Sequence, residues 1–124
     1  MAPNERLAAV LKKYSGHPEF LGTPILNPNQ VGAFDSTLLH IASEKGELED
    51  IQVLIEAGAN VDARGDLGNT PLHAAAMSGQ AESVKILLQH GANPALTNEL
   101  GQSVKEVALL GKRNIIVDLL ESRQ

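Results

Sequence analysis

The 124-residue chain contains no cysteine and no tryptophan, and its aromatic side chains stop at two Phe and one Tyr. Without thiols, disulfides, thiolate nucleophiles and cysteine-based zinc sites are excluded. With so few rings, the core has to come from Leu, Ile, Val and Ala, a set that suits closely packed small helices better than a β-sandwich. No apolar run approaches the ~20 residues that span a bilayer. The opening stretch Met1–Arg6 leads into an amphipathic segment with Lys12 and Lys13 inside it, not into the apolar centre of a signal peptide. The expected location is the cytoplasm. Basic residues are in the minority, ten Lys and Arg against fifteen Asp and Glu, for a formal charge of −5. That balance disfavours nucleic acid and anionic membrane surfaces as partners and makes a basic protein the more natural complement. At this length one domain with a modest core is expected.

What the chain does have is a period. A shift of 33 residues aligns Gly32–Arg64 with Gly65–Thr97. Thr37 falls on Thr70, Leu39 on Leu72, His40 on His73, Ala42 on Ala75, Gly46 on Gly79 and Leu54 on Leu87. Gly58-Ala59-Asn60 falls on Gly91-Ala92-Asn93, and a further shift continues the register through Ser103, Ala108, Val117 and Leu120. Self-similarity at this spacing is the signature of a stacked repeat.

Each unit reads as helix, tight turn, helix and loop. In the second, Thr70 is a natural N-cap and Pro71 fills the first helical position, where its missing N–H costs nothing. Leu72, Ala75 and Ala76 give a short inner helix that a neighbour can approach closely, and Gly79 ends it. The next helix, about 81–89, carries Val84, Leu87 and Leu88 on one stripe and stops before Gly91. The first unit repeats this with Ile51, Leu54 and Ile55, stopped by Gly58.

These residues resemble the ankyrin-repeat family, whose signature is similar to Thr70-Pro71-Leu72-His73-Ala74-Ala75 and, with Leu38 in place of proline, to Thr37-Leu38-Leu39-His40-Ile41-Ala42. The resemblance spans residues 32–124. It implies an all-α solenoid of about three helix–turn–helix repeats, divided 32–64, 65–97 and 98–124, whose role is protein–protein interaction without catalysis or cofactor. The third unit departs from the signature with Val104-Lys105-Glu106 where Pro-Leu-His would stand. A terminal repeat must show one flank to water. Lys105, Glu106, Asn114 and Glu121 therefore read as a C-terminal cap. At the other end, Leu7, Val10, Leu11 and Tyr14 form one apolar face of a helix over residues 4–14, a cap on the first repeat. The rest of the 1–31 lead-in, rich in Gly, Pro and Asn, reads as irregular, pinned by Phe20, Leu21, Ile25 and Leu26. Capped at both ends, the chain is expected to be a monomer.

Candidates for chemistry have blander readings. His40 and His73 occupy equivalent points on two helices and lack a second ligand at metal-binding spacing. In ankyrin repeats this histidine ties the turn to the helix. His90 precedes a helix-stopping glycine, where a partly positive ring suits the dipole, and His17 has no identifiable partner. Glu44, Glu47, Glu49, Asp50 and Glu56 read as the solvated face of an amphipathic helix. Gly65-Asp66-Leu67-Gly68-Asn69-Thr70 lacks the Lys-Ser/Thr ending of a phosphate loop and falls on the hairpin between repeats. Ser36, Ser78 and Ser83 have no His–Asp partners.

Stacked units leave a concave face made of hairpin tips and the exposed side of the inner helices, where the family resemblance implies that partners dock. By register the first unit offers Phe34, Asp35, Ser36, Glu44 and Lys45. The second adds Arg64, Asp66, Leu67, Asn69, Met77 and Ser78, and the third Thr97, Glu99, Leu100, Gln102 and Leu110. Phe34, Leu67 and Leu100 share one register position at the tips and read either as an apolar ladder for a partner or as packing between hairpins. Asp35, Asp66 and Glu99 are expected to flank the ladder and favour a basic partner. Small bacterial ankyrin proteins, to which the Gly65–His73 run looks similar, include immunity proteins that neutralise a toxin encoded nearby. A scaffold subunit is the remaining alternative.

Overall fold

The computed structural model describes residues 3–122. Met1, Ala2, Arg123 and Gln124, included in the divisions above, lie outside the described residues. Seven α-helices form, and no strand is present among the described residues: α1 Pro3–Tyr14, α2 Leu38–Lys45, α3 Leu48–Glu56, α4 Pro71–Met77, α5 Ala81–Gln89, α6 Val104–Leu110 and α7 Asn114–Glu121. The inner helices α2, α4 and α6 pack side by side in one row; α3, α5 and α7 form an outer row, with α1 laid against α3 at its head.

The inner helices begin where the sequence supplies a cap. The Thr37 hydroxyl accepts from His40 N, Thr70 from His73 N, and Ser103 from Glu106 N. A cap of this kind contributes about 1 kcal/mol. Small residues on α2 and α4 (Ala42, Ala75, Ala76) bring the helices close, and Leu39, Ile51, Leu54, Leu72, Val84 and Leu87 are fully buried between the rows. Each such side chain contributes roughly 1.5–3 kcal/mol of transfer free energy.

The turn between paired helices shows why glycine recurs there. Gly46 and Gly79 have φ of 72° and 71°. A Cβ on Gly46 would sit 2.6 Å from Gln80 Oε1, and one on Gly79 would sit 3.0 Å from the Arg113 guanidinium. The glycine thus satisfies a left-handed backbone and the close approach of the next unit at once. In the third unit Lys112 stands in this place with φ 56°, and no further repeat lies against it among the described residues.

The two ends of the stack depart from expectation in several places. Tyr14 is buried, its hydroxyl donating to Asp50 Oδ2 at 2.8 Å, and Lys13 Nζ reaches the same oxygen at 2.8 Å. Asp50 is therefore a buried anchor for α1, not part of a solvated acidic face. Burial, and then the carboxylate beside it, pushes the Tyr14 phenol above its ordinary value near 10. In the lead-in, Phe20 is buried in a 3₁₀ turn over Pro18–Phe20 and Ile25 packs on the core. Leu21 and Leu26 do not pin it: they are 66% and 79% exposed. Leu21 follows the turn's last inward residue, and the stretch around Leu26 is closed by amides instead, with Leu26 N donating to Gln30 Oε1 and Gln30 Nε2 to Pro24 O. His17 does have a partner, since its Nδ1 accepts from Glu19 N and starts the turn. On the C-terminal flank Lys105 pairs with Glu121 at 3.5 Å, an exposed pair of little energetic weight. Leu109 on the same unit remains 52% exposed, so the flank is only partly polar.

Candidate protein-binding face

Three hairpins project from the helix rows, each closed by a backbone bond: Gly32 N to Ser36 O, Gly65 N to Asn69 O and Asn98 N to Gln102 O. Each is built differently inside. In the third, the Asn98 side chain folds back so that Oδ1 accepts from Leu100 N and Gln102 N, both at 3.0 Å. The first has Gly32 in that place, and a residue from the lead-in supplies the acceptor. Glu19 Oε2 takes Phe34 N at 2.6 Å and Ser36 N at 3.0 Å, and a Cβ on Gly32 would overlap Glu19 Cγ. Glu19 is buried; nothing in its spacing betrayed this, because its partners lie 15 and 17 residues away in a loop without periodicity.

The second hairpin has Gly65 and no such acceptor. A Cβ there would come within 2.9 Å of His40 Nε2, so the position is held small by its neighbour. Asn69 N turns to Asp66 O, and Leu67 takes the left-handed conformation, φ 56° and ψ 23°, with its carbonyl accepting from Glu99 N at 2.9 Å. For a leucine that conformation costs on the order of 1–2 kcal/mol.

The histidines tie the repeats together. His40 Nδ1 accepts from Thr37 N, while Nε2 donates to Asn69 O at 2.8 Å. His73 repeats this with Thr70 N and, at 3.0 Å, Gln102 O. Each ring thus caps its own helix and holds the next hairpin. Burial lowers both imidazole values below the ordinary 6.5, and the bonding pattern requires the neutral Nε2–H form. In the third unit Glu106 Oε1 accepts from Ser103 N. It reproduces the cap without an outward donor.

The structure divides the expected partner residues between two places. A cavity of about 140 Å³ on the inner-helix side gathers Ser36, Glu44, Asp66, Asn69, Met77 and Ser78, with Ala74 and the edge of His40 completing the wall. Ala74, three residues before Met77 on α4, lies on the same face although its small apolar side chain gives no signal in the sequence. Asp35, Arg64, Thr97 and Glu99 instead line a second, open cleft of about 570 Å³ with Val31, Gly65, Gly68 and Asn98. Arg64 Nη1 is tied to Thr97 O at 2.6 Å. Asp35 does not match Asp66 and Glu99: with φ 65° it follows the tip residue, where the other hairpins have Gly68 and Gly101. Lys45 turns onto the Tyr14 ring, 6.0 Å from its centroid. The side-chain oxygens of Asn69 and Gln102 are both taken by Asn98 Nδ2 at 3.0 Å, so these amides serve the scaffold. The apolar tips are exposed: Phe34 65%, Leu67 50% and Leu100 68%, with Met77 and Leu110 also open to water. Packing between hairpins leaves at least half of each tip side chain uncovered.

Among the described residues no group of His, Asp and Glu is gathered for a metal ion, and no helix is long and apolar enough to cross a membrane. Comparison with curated proteins finds no match. A family model for ankyrin repeats matches residues 7–98, in three copies. That match takes in most of α1, the lead-in and the four helices α2–α5; α6 and α7, laid in the same two rows, lie beyond it. With well over half of its length matched, and with two rows of helices joined by hairpins, the chain belongs to the ankyrin-repeat family.

Proposed function

We propose that the chain binds another protein across its hairpin tips and inner-helix face, as an inhibitor or adaptor. Ankyrin repeats are protein-interaction modules and not catalysts. The observation that carries the reading is the exposure of one large apolar side chain per hairpin, Phe34, Leu67 and Leu100, in line by register. None of the three is needed for the core. Half to two thirds exposed, each gives up roughly 1–2 kcal/mol of gross transfer free energy by staying in water, and a few such anchors dominate a typical interface. Acidic residues beside them favour a basic partner.

The experiment is a pull-down with Leu67→Arg and Phe34→Ser combined. Loss of the captured partner is expected, and unchanged capture places binding elsewhere. Light scattering on the purified chain tests the expected monomer. Neutralisation of a toxin is one form that inhibition could take. A neighbouring reading frame for a large secreted protein with a nuclease-, amidase- or lipase-like tail would favour it, and a genomic setting without one would oppose it.

A further inference from the structure

The inner-helix face changes character along its length. Glu44, Met77 and Leu110 occupy the same register position on α2, α4 and α6, and all three are exposed. Their row begins acidic and ends apolar. At the acidic end, Glu44 from one unit and Asp66 from the next line the 140 Å³ cavity, with Met77 and Ala74 as its apolar wall and Ser36 and Ser78 at its sides. Among the described residues neither carboxylate is paired: the ion pairs there join Lys13 with Glu47 and Asp50, Lys85 with Glu82, and Lys105 with Glu121. The imidazole at the cavity edge adds no positive charge, because His40 is held neutral and has its Nε2 hydrogen on Asn69 O. At the other end, Leu110 is 71% exposed and puts an apolar side chain where the first helix of the row has Glu44.

We propose that the partner of this groove is a peptide segment with a lysine or arginine that enters the cavity between Glu44 and Asp66 and apolar side chains that run on over Met77 to Leu110. The inference rests on the concave-face reading above and adds both the chemistry and the direction of the guest. An alkyl stem with a cationic head matches an apolar wall with carboxylates beside it. Helices packed side by side lie about 8–10 Å apart, so Glu44 and Leu110, two helices apart, are separated by roughly 16–20 Å. An extended chain covers that in about six residues at ~3.3 Å each, and a helix in about thirteen at ~1.5 Å each.

The test is selection from a random peptide library displayed on phage, with the purified full chain as target. Binding of the strongest synthetic peptides is then measured by fluorescence anisotropy. Enriched peptides should carry Lys or Arg at a fixed spacing from apolar residues. Glu44→Gln combined with Asp66→Asn, and separately Met77→Ser combined with Leu110→Ser, should each weaken them by at least about tenfold. A peptide with the basic and apolar ends exchanged should lose as much. These positions are exposed, and circular dichroism confirms that each variant folds. Peptides that lack a basic residue, or that ignore the two carboxylate changes, overturn the proposal. If Leu67→Arg still abolishes their binding, the concave face survives and only the charge assignment falls. If Leu67→Arg also has no effect, both readings fail, and a library without binders refutes the groove as a peptide site.

Discussion

Replacing Glu19 by alanine should damage the protein far more than a loop position suggests. Two backbone donors, Phe34 N and Ser36 N, would lose the carboxylate oxygen that holds them at 2.6 and 3.0 Å. Hydrogen bonds to a charged acceptor contribute about 1.5–3 kcal/mol each. Water can reach this half-open hairpin and replace part of that, which leaves an expected loss of about 2–3 kcal/mol for the pair. For a chain of this length each kcal/mol corresponds to roughly 3–6 °C, so Tm should fall by about 10 °C. Glu19→Gln keeps an oxygen in the same place without its charge and should cost only about 1 kcal/mol. Urea unfolding of the three proteins, with equal m-values as the check on two-state behaviour, measures both differences. An alanine variant within about 0.5 kcal/mol of the parent, or a glutamine variant as unstable as alanine, would refute the assignment of Glu19 as the acceptor of the first hairpin.

Three other predictions concern the stack. His40 and His73 have lowered imidazole values, so the unfolded chain binds more protons just below the ordinary value of 6.5 and stability should fall as pH drops from there. Thermal melts between pH 7.5 and 5 check this, and a His40→Gln variant should show a shallower decline. Gly79→Ala should cost about 1–2 kcal/mol, since alanine at φ 71° is strained, whereas Lys112→Gly should be neutral to stabilising by up to about 1 kcal/mol once the glycine's unfolded entropy is subtracted. Denaturant midpoints decide both. Tyr14→Phe removes a bond to Asp50 and should cost about 1.5 kcal/mol, with hydrogen exchange rising first in α1.

The inner and outer helices were legible because their information is local and repeated. Thr37 and Thr70 cap the helices that follow them, and the glycine after each inner helix is left-handed in both places. The structural role of the histidines could also be inferred, although their second bond, to the next hairpin, became apparent only in three dimensions. The hairpins were less legible. Gly32, Gly65 and Asn98 share one register position, yet the first turn is held by Glu19 from the lead-in, the third by Asn98 itself and the second by backbone acceptors alone. Asp50 was misread because helix periodicity describes one helix at a time, and the basic and phenolic groups that bury it come from α1. The residues expected to bind a partner do not form a single surface: the hairpins have two sides, and the register cannot say which side a given side chain takes.

The turn glycine has a consequence for engineering. An additional unit laid on α6 would press against Lys112 as Gln80 presses on Gly46, would need an apolar partner where Lys105 points outward, and would offer a hairpin carbonyl that Glu106 cannot satisfy. Lys112→Gly, Lys105→Leu and Glu106→His, with apolar residues in place of Asn114 and Glu121, would give this edge the character of the flanks inside the stack. They specify where a longer synthetic array could be spliced on.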